Sequence, residues 1–148
     1  MRVAVGQTGP GSAGFTQSHE EARAAQRIAD TGAVDTSIVW HADVEIASLL
    51  SHDGKGMRAL VRREVAALST ADAATAKLRT TTQAYLRNAC SPTAAARELG
   101  THKNTVRYRI EQVERALGRR LEGQELGLQL ALMLVETLGD QVLPDSSR

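Results

Sequence analysis

The stretch that most constrains the fold is Ser91-Pro92-Thr93-Ala94-Ala95-Ala96-Arg97-Glu98-Leu99-Gly100-Thr101-His102-Lys103-Asn104-Thr105-Val106-Arg107-Tyr108-Arg109-Ile110, in which two short helical patterns meet at a glycine. Ser91 suits an N-cap, because its hydroxyl can accept from the free amides of a first turn, and Pro92 suits the first helical position, where a missing N–H costs nothing. Ala95, Ala96 and Leu99 fall on one side of this helix, and Gly100 can take the positive φ that ends it and turns the chain sharply. Small alanines let a second helix approach closely. That second helix is predicted over about 102–117, with Val106, Ile110, Val113 and Leu117 forming one apolar stripe and Gly118 as its stop. The pattern is that of a helix-turn-helix.

At about 100° per residue, the stripe leaves Asn104, Tyr108, Glu111 and Arg115 on the far side of the second helix, with Lys103 and Arg107 on one flank. Such a face can enter a major groove N-terminus first: Lys and Arg pair with guanine O6/N7, Asn pairs with adenine N6/N7, and the free amides of the first turn meet phosphate. Thr105, Arg109, Arg119 and Arg120 sit where phosphate contacts are expected, and His102 reads as a capping or phosphate-contacting residue. The bland alternative is a helical hairpin whose charged face is merely solvated.

The net charge of +1 hides an asymmetry. Residues 76–121 hold ten basic side chains (Lys77, Arg79, Arg87, Arg97, Lys103, Arg107, Arg109, Arg115, Arg119, Arg120) against three acidic ones (Glu98, Glu111, Glu114), a local balance of +7 that leaves −6 for the remainder. A basic segment in an otherwise acidic chain points to a local polyanion-binding patch, since neutralising phosphates releases condensed counterions.

Tyr85-Leu86, then Ala94-Ala95-Ala96-x-x-Leu99-Gly100-x-His102-x-Asn104-Thr105-Val106-x-Tyr108-Arg109-Ile110, closing with Leu117-Gly118, resembles the C-terminal DNA-binding domain of PucR/CdaR-type bacterial transcriptional regulators. The likeness runs from about Thr75 to Gly139, and His-x-Asn-Thr-Val-x-Tyr-Arg is its most distinctive part. It implies DNA binding through Lys103, Asn104, Thr105, Arg107 and Tyr108, in regulators whose upstream domain senses a metabolite.

Ahead of this segment, Arg2-Val3-Ala4-Val5-Gly6 reads as a strand followed by a glycine-rich loop in which Gly9, Gly11 and Gly14 spell GxGxxG. A dinucleotide fingerprint needs the third glycine inside the opening of the helix. Ser18-His19-Glu20-Glu21 reads as a capping box, which puts the helix over about 19–31, with Ala22, Ala25, Ile28 and Ala29 inward and Gly32 after it. On that reading the glycines form a plain loop. Residues 37–41 read as a second strand and 44–50 as a short helix. This region resembles the second half of the GGDEF-like domain of the same regulators, without the Gly-Gly-Asp-Glu-Phe signature, so cyclase activity is not implied. Two strands do not make an independently stable sheet, so the first half of that fold and any sensor domain before it are expected to be absent. The open edge is expected to pair with the same edge in a second chain or to stay partly disordered.

The polar stretch 51–56 reads as a hinge, Met57, Leu60, Val61, Val65 and Leu68 as a helix, 69–72 as a loop, and 73–89 as a longer helix with Tyr85 as a scaffold residue. Residues 124–138, rich in leucine, read as a last helix buried both against the bundle and against a partner chain. The four histidines share no metal-ligand spacing, and one cysteine, Cys90, makes neither a disulfide nor a thiolate site. No nucleophile elbow or phosphate-binding loop with its lysine occurs. Neither a catalytic residue, a cofactor nor a metal is expected. Nor is a membrane span, and the single thiol suits a reducing cytoplasm.

The chain is therefore expected to be mainly α, with a C-terminal helix-turn-helix bundle and a small, incomplete α/β unit at the N-terminus. Its expected parts are a partial GGDEF-like unit over 1–50, a linker with a helix over 51–74, the DNA-binding domain over 75–140 and a tail over 141–148. The expected partners are double-stranded DNA and a second copy of the chain, because two recognition helices about 34 Å apart read successive half-sites. The effector is not legible. The alternatives are a truncated regulator acting only as a dimerisation module, and a nucleotide-binding enzyme built on the glycine loop.

Overall fold

The computed structural model describes residues 2–31, 33–123 and 125–144. Its elements in order are β1 (Val3–Val5), α1 (Gly11–Ala29), β2 (Ile38–Trp40), α2 (His41–Ser51), α3 (Gly54–Val65), a 3₁₀ turn (Ala66–Leu68), α4 (Ala73–Arg87), α5 (Pro92–Glu98), α6 (Lys103–Leu117), α7 (Leu126–Leu138) and a second 3₁₀ turn (Asp140–Val142). The protein is mainly α, with one two-stranded parallel sheet. It divides into two compact units, residues 2–58 with 134–142 and residues 59–133 with 143–144, whose boundaries fall inside α3 and α7. The predicted stop at Gly32, the predicted helix start at Gln124 and the end of the tail, 145–148, lie outside the described residues.

In the first unit β1 pairs with β2 in the register Val3–Ile38, Ala4–Val39, Val5–Trp40. Because side chains alternate along a strand, Ala4 and Val39 share one face, and Val39 is buried; Val3, Val5, Ile38 and Trp40 share the other, with Trp40 half exposed. Parallel sheets are ordinarily covered on both faces. Here α1 packs on the sheet and on α2 through Ala24, Ala25, Ile28, Ala29, Val44 and Ala47. Arg2 Nη1 donates to the Ala29 carbonyl at 2.8 Å, closing the C-terminal end of α1.

Helix α1 corrects the sequence reading. It starts at Gly11, eight residues before the predicted start, and Ser18 lies mid-helix and caps nothing. Glu21 reaches instead to the loop amide of Gln7, at 2.7 Å. The reason is tertiary: a Cβ on Gly14 would stand 2.2 Å from the Gly9 carbonyl carbon, and one on Gly6 would stand 2.0 Å from the Ser18 oxygen, so glycine lets strand, loop and helix close up. Gly14 thus lies in the helix opening, and the spacing objection to a dinucleotide fingerprint falls. Other features still oppose a phosphate there. The Glu21 carboxylate holds the Gln7 amide, and β2 runs out into Trp40-His41 with no carboxylate for a ribose.

The predicted hinge narrows to His52 and Asp53, because Asp53 Oδ1 accepts from Gly56 N at 3.0 Å and draws both glycines into the first turn of α3. In the second unit the core consists of Val61, Val65, Leu68, Ala84, Leu86, Ala95, Ala96, Val106, Ile110, Val113, Leu121, Leu128, Ala131 and Leu132. Helices α4, α5 and α6 each pack on the other two.

Candidate nucleic-acid interface

Local signals set the three helices. Asp72 caps α4, accepting from Thr75 N at 2.9 Å and from the Thr75 hydroxyl at 2.8 Å, and the Thr70 hydroxyl, together with these Thr75 bonds, holds its carboxyl far below the usual carboxylate range. Ser91 caps α5, accepting from Ala94 N at 3.3 Å, with Pro92 in the first turn. Between them Ala89 and Cys90 take φ of 50° and 58°, a left-handed corner that non-glycine residues seldom adopt. Burial pushes the Cys90 thiol upward in pKa, consistent with a small packed side chain. Tyr85 is half-buried, as a scaffold residue should be.

Gly100 turns the chain at φ +60°. His102 then caps α6: its Nδ1 accepts from Asn104 N at 3.2 Å. Helix α6 ends at Gly118, φ +69°. A polar clasp fastens α5 to the end of α4, where Glu98 accepts from Arg87 and, at 2.6 Å, from Asn88 Nδ2. These donors hold the Glu98 carboxyl below its ordinary range.

Val106 and Val113 are fully buried and Ile110 nearly so, which fixes the rotation of α6. His102, Lys103, Asn104, Arg107, Tyr108, Glu111 and Arg115 are exposed, and Thr105 is intermediate. Asn104 and Arg107 stand one helical turn apart, about 4.5 Å along the axis at about 1.5 Å per residue.

Four of the ten cations counted in the sequence belong to the protein's own framework. Arg79 is buried and forks to the carbonyls of Leu68 at 2.8 Å and Thr70 at 2.9 Å. Arg87 is held in the Glu98 clasp. Two of the expected phosphate contacts are also taken. Arg109 Nη1 donates to Thr81 Oγ1 at 3.1 Å, and Arg119 pairs with Glu125 and, at 3.4 Å, with Glu64. Their partners lie up to 55 residues away in sequence, where no local pattern reveals them. Arg120 remains exposed at the end of the helix, and Glu114 turns aside to accept from Leu121 N at 2.8 Å. The cationic face is therefore narrower than the charge count implied, and centred on the first half of α6.

Among the described residues no group of three or more His, Cys, Asp and Glu side chains gathers as a metal site, and no helix is long and apolar enough to cross a membrane.

Residues 78–135 match the family model of the PucR C-terminal helix-turn-helix domain, from within α4 to within α7. A protein of Thermomonospora curvata described as "Uncharacterized protein in pkwA 5'region" is 41% identical over 68 residues, which cover 46% of this chain and 38% of that relative. No solved structure matches. The capped helix pair and its glycine turn thus fall within the segment, residues 78–135, that is similar to the PucR C-terminal helix-turn-helix domain.

Proposed function

We propose that the protein is a sequence-specific DNA-binding transcriptional regulator whose helix α6 lies in the major groove. Lys103 and Arg107 donate to guanine edges, Asn104 pairs with adenine, Tyr108 packs beside them, and His102, Thr105 and Arg120 meet the flanking phosphates. The observation that carries this reading is the exposed face of α6, where Lys103, Asn104, Arg107 and Tyr108 stand in the first turns of the helix, clear of its buried stripe.

The protein acts as a dimer, because one short helix discriminates weakly and paired half-sites restore specificity. Four leucines of α7, Leu128, Leu132, Leu134 and Leu138, are buried within the chain, while Leu126 is 66% exposed. That leaves the uncovered sheet face of Val3, Ile38 and Trp40 as the better-supported dimer surface. The N-terminal unit stands for part of a GGDEF-like domain.

The test is fluorescence anisotropy against a duplex selected from a random-sequence pool and against random duplex. Asn104→Ala and Arg107→Ala should each cost about 1–3 kcal/mol on the selected duplex and little on random DNA. Equal losses on both duplexes refute base reading. The second reading is a dimerisation module without an operator, favoured by the same apolar sheet face; a protein that self-associates in light scattering yet selects no sequence would establish it.

A further inference from the structure

Arg109 stands on α6 among the cations proposed to meet DNA, yet its geometry turns it inward. At about 100° per residue it lies about 60° from Val106 and about 40° from Val113, but about 140° from Asn104. Its guanidinium Nη1 donates to Thr81 Oγ1 on α4 at 3.1 Å. Thr81 is 1% exposed, and its own hydroxyl donates to the Lys77 carbonyl at 2.7 Å, so its lone pairs are left to accept. The remaining core of α6 is aliphatic. Aliphatic contact is non-directional and tolerates small rotations of a helix about its axis, whereas a hydrogen bond does not.

We infer that Arg109 is a positioning residue: through Thr81 it sets the rotational register of α6 on α4, and so the aim of Asn104 and Arg107, without touching phosphate itself. This rests on the major-groove reading of α6.

The experiment compares Arg109→Ala, Thr81→Val and the double variant with wild type in the full chain. Affinity is measured across a salt series on a duplex selected by wild type and on random duplex. Thr81→Val alters no charge and little volume. Each single variant should weaken the selected duplex about tenfold, the equivalent of one hydrogen bond to a charged group. The double variant should be no weaker than Arg109→Ala, and the salt slope should stay at its wild-type value.

A phosphate contact behaves oppositely: Arg109→Ala lowers the slope by about 0.9 and Thr81→Val leaves affinity intact, which overturns the inference. A bond that only stabilises the fold lowers the melting temperature of both variants while the preference for the selected duplex survives, and this overturns it too. Should Arg109→Ala fail to fold, Thr81→Val decides alone. A wild-type protein that prefers no duplex removes the major-groove reading and this inference with it. A discriminating wild type matched by Thr81→Val removes only the inference.

Discussion

Arg79 offers the sharpest check on the framework that carries α6. Its side chain is 7% exposed, and Nη1 donates to the Leu68 carbonyl at 2.8 Å and to the Thr70 carbonyl at 2.9 Å, tying α4 to the 3₁₀ turn and loop before it. A hydrogen bond from a charged donor contributes about 1.5–3 kcal/mol, and a buried carbonyl left without a donor costs about 1–3 kcal/mol. The Leu68 bond is buried, whereas the Thr70 bond is only partly so and water can replace it in a variant. The two figures describe the same deletion and do not add, so Arg79→Ala should destabilise by about 1.5–3 kcal/mol, a sizeable part of the 5–15 kcal/mol typical of a folded protein. Arg79→Lys should fall between, since an ammonium keeps the charge but lacks the planar guanidinium whose Nη1 serves both carbonyls. Urea unfolding followed by circular dichroism measures this as a lower midpoint at unchanged slope. A loss below about 1 kcal/mol, accompanied by a weaker salt dependence of DNA binding, would refute the reasoning and return Arg79 to the DNA-facing charge.

Two further outcomes follow from the caps and the clasp. Ser91→Ala removes the acceptor for Ala94 N and should cost about 1 kcal/mol, read as a lower urea midpoint; Ser91→Asp, which keeps an acceptor, should restore it. Arg87 and Asn88 hold the Glu98 carboxyl below its ordinary pKa, so its contribution to stability is fully present above about pH 4.3, the unfolded value, and is lost as the pH falls through the lower folded value. Glu98→Gln should flatten part of the acid limb of a stability profile, and more so at low salt because the clasp is exposed. An unchanged acid limb would assign it to other carboxylates, with Asp72, depressed by hydrogen bonds from the Thr70 hydroxyl and from Thr75, next in line.

Legibility in the sequence followed the range of the forces involved. Ser91-Pro92, Gly100, His102 and Gly118 act on amides and dihedrals within four residues of themselves, so the limits of α5 and α6 can be read from their own neighbourhoods in the chain. The stripe of Val106, Ile110 and Val113 then fixed which side of α6 is buried and which meets solvent, because the helical period converts spacing directly into direction. The same local reasoning misplaced the start of α1. Ser18 and Glu21 make a sound capping box in isolation, and the close backbone approach at Gly6, Gly9 and Gly14 overrides it.

From the sequence alone come the paired helices, their glycine turn, the buried stripe and the excess of positive charge between 76 and 121. Tertiary structure alone decided how that charge is used: Arg79, Arg109 and Arg119 turn to Leu68, Thr81 and Glu64, partners 11, 28 and 55 residues away. It also decided that most of the leucines of α7 are spent inside the chain while Trp40 stays half exposed. A charge or an apolar side chain can be counted along a chain, but its partner is chosen by packing, which brings together residues that no local pattern relates.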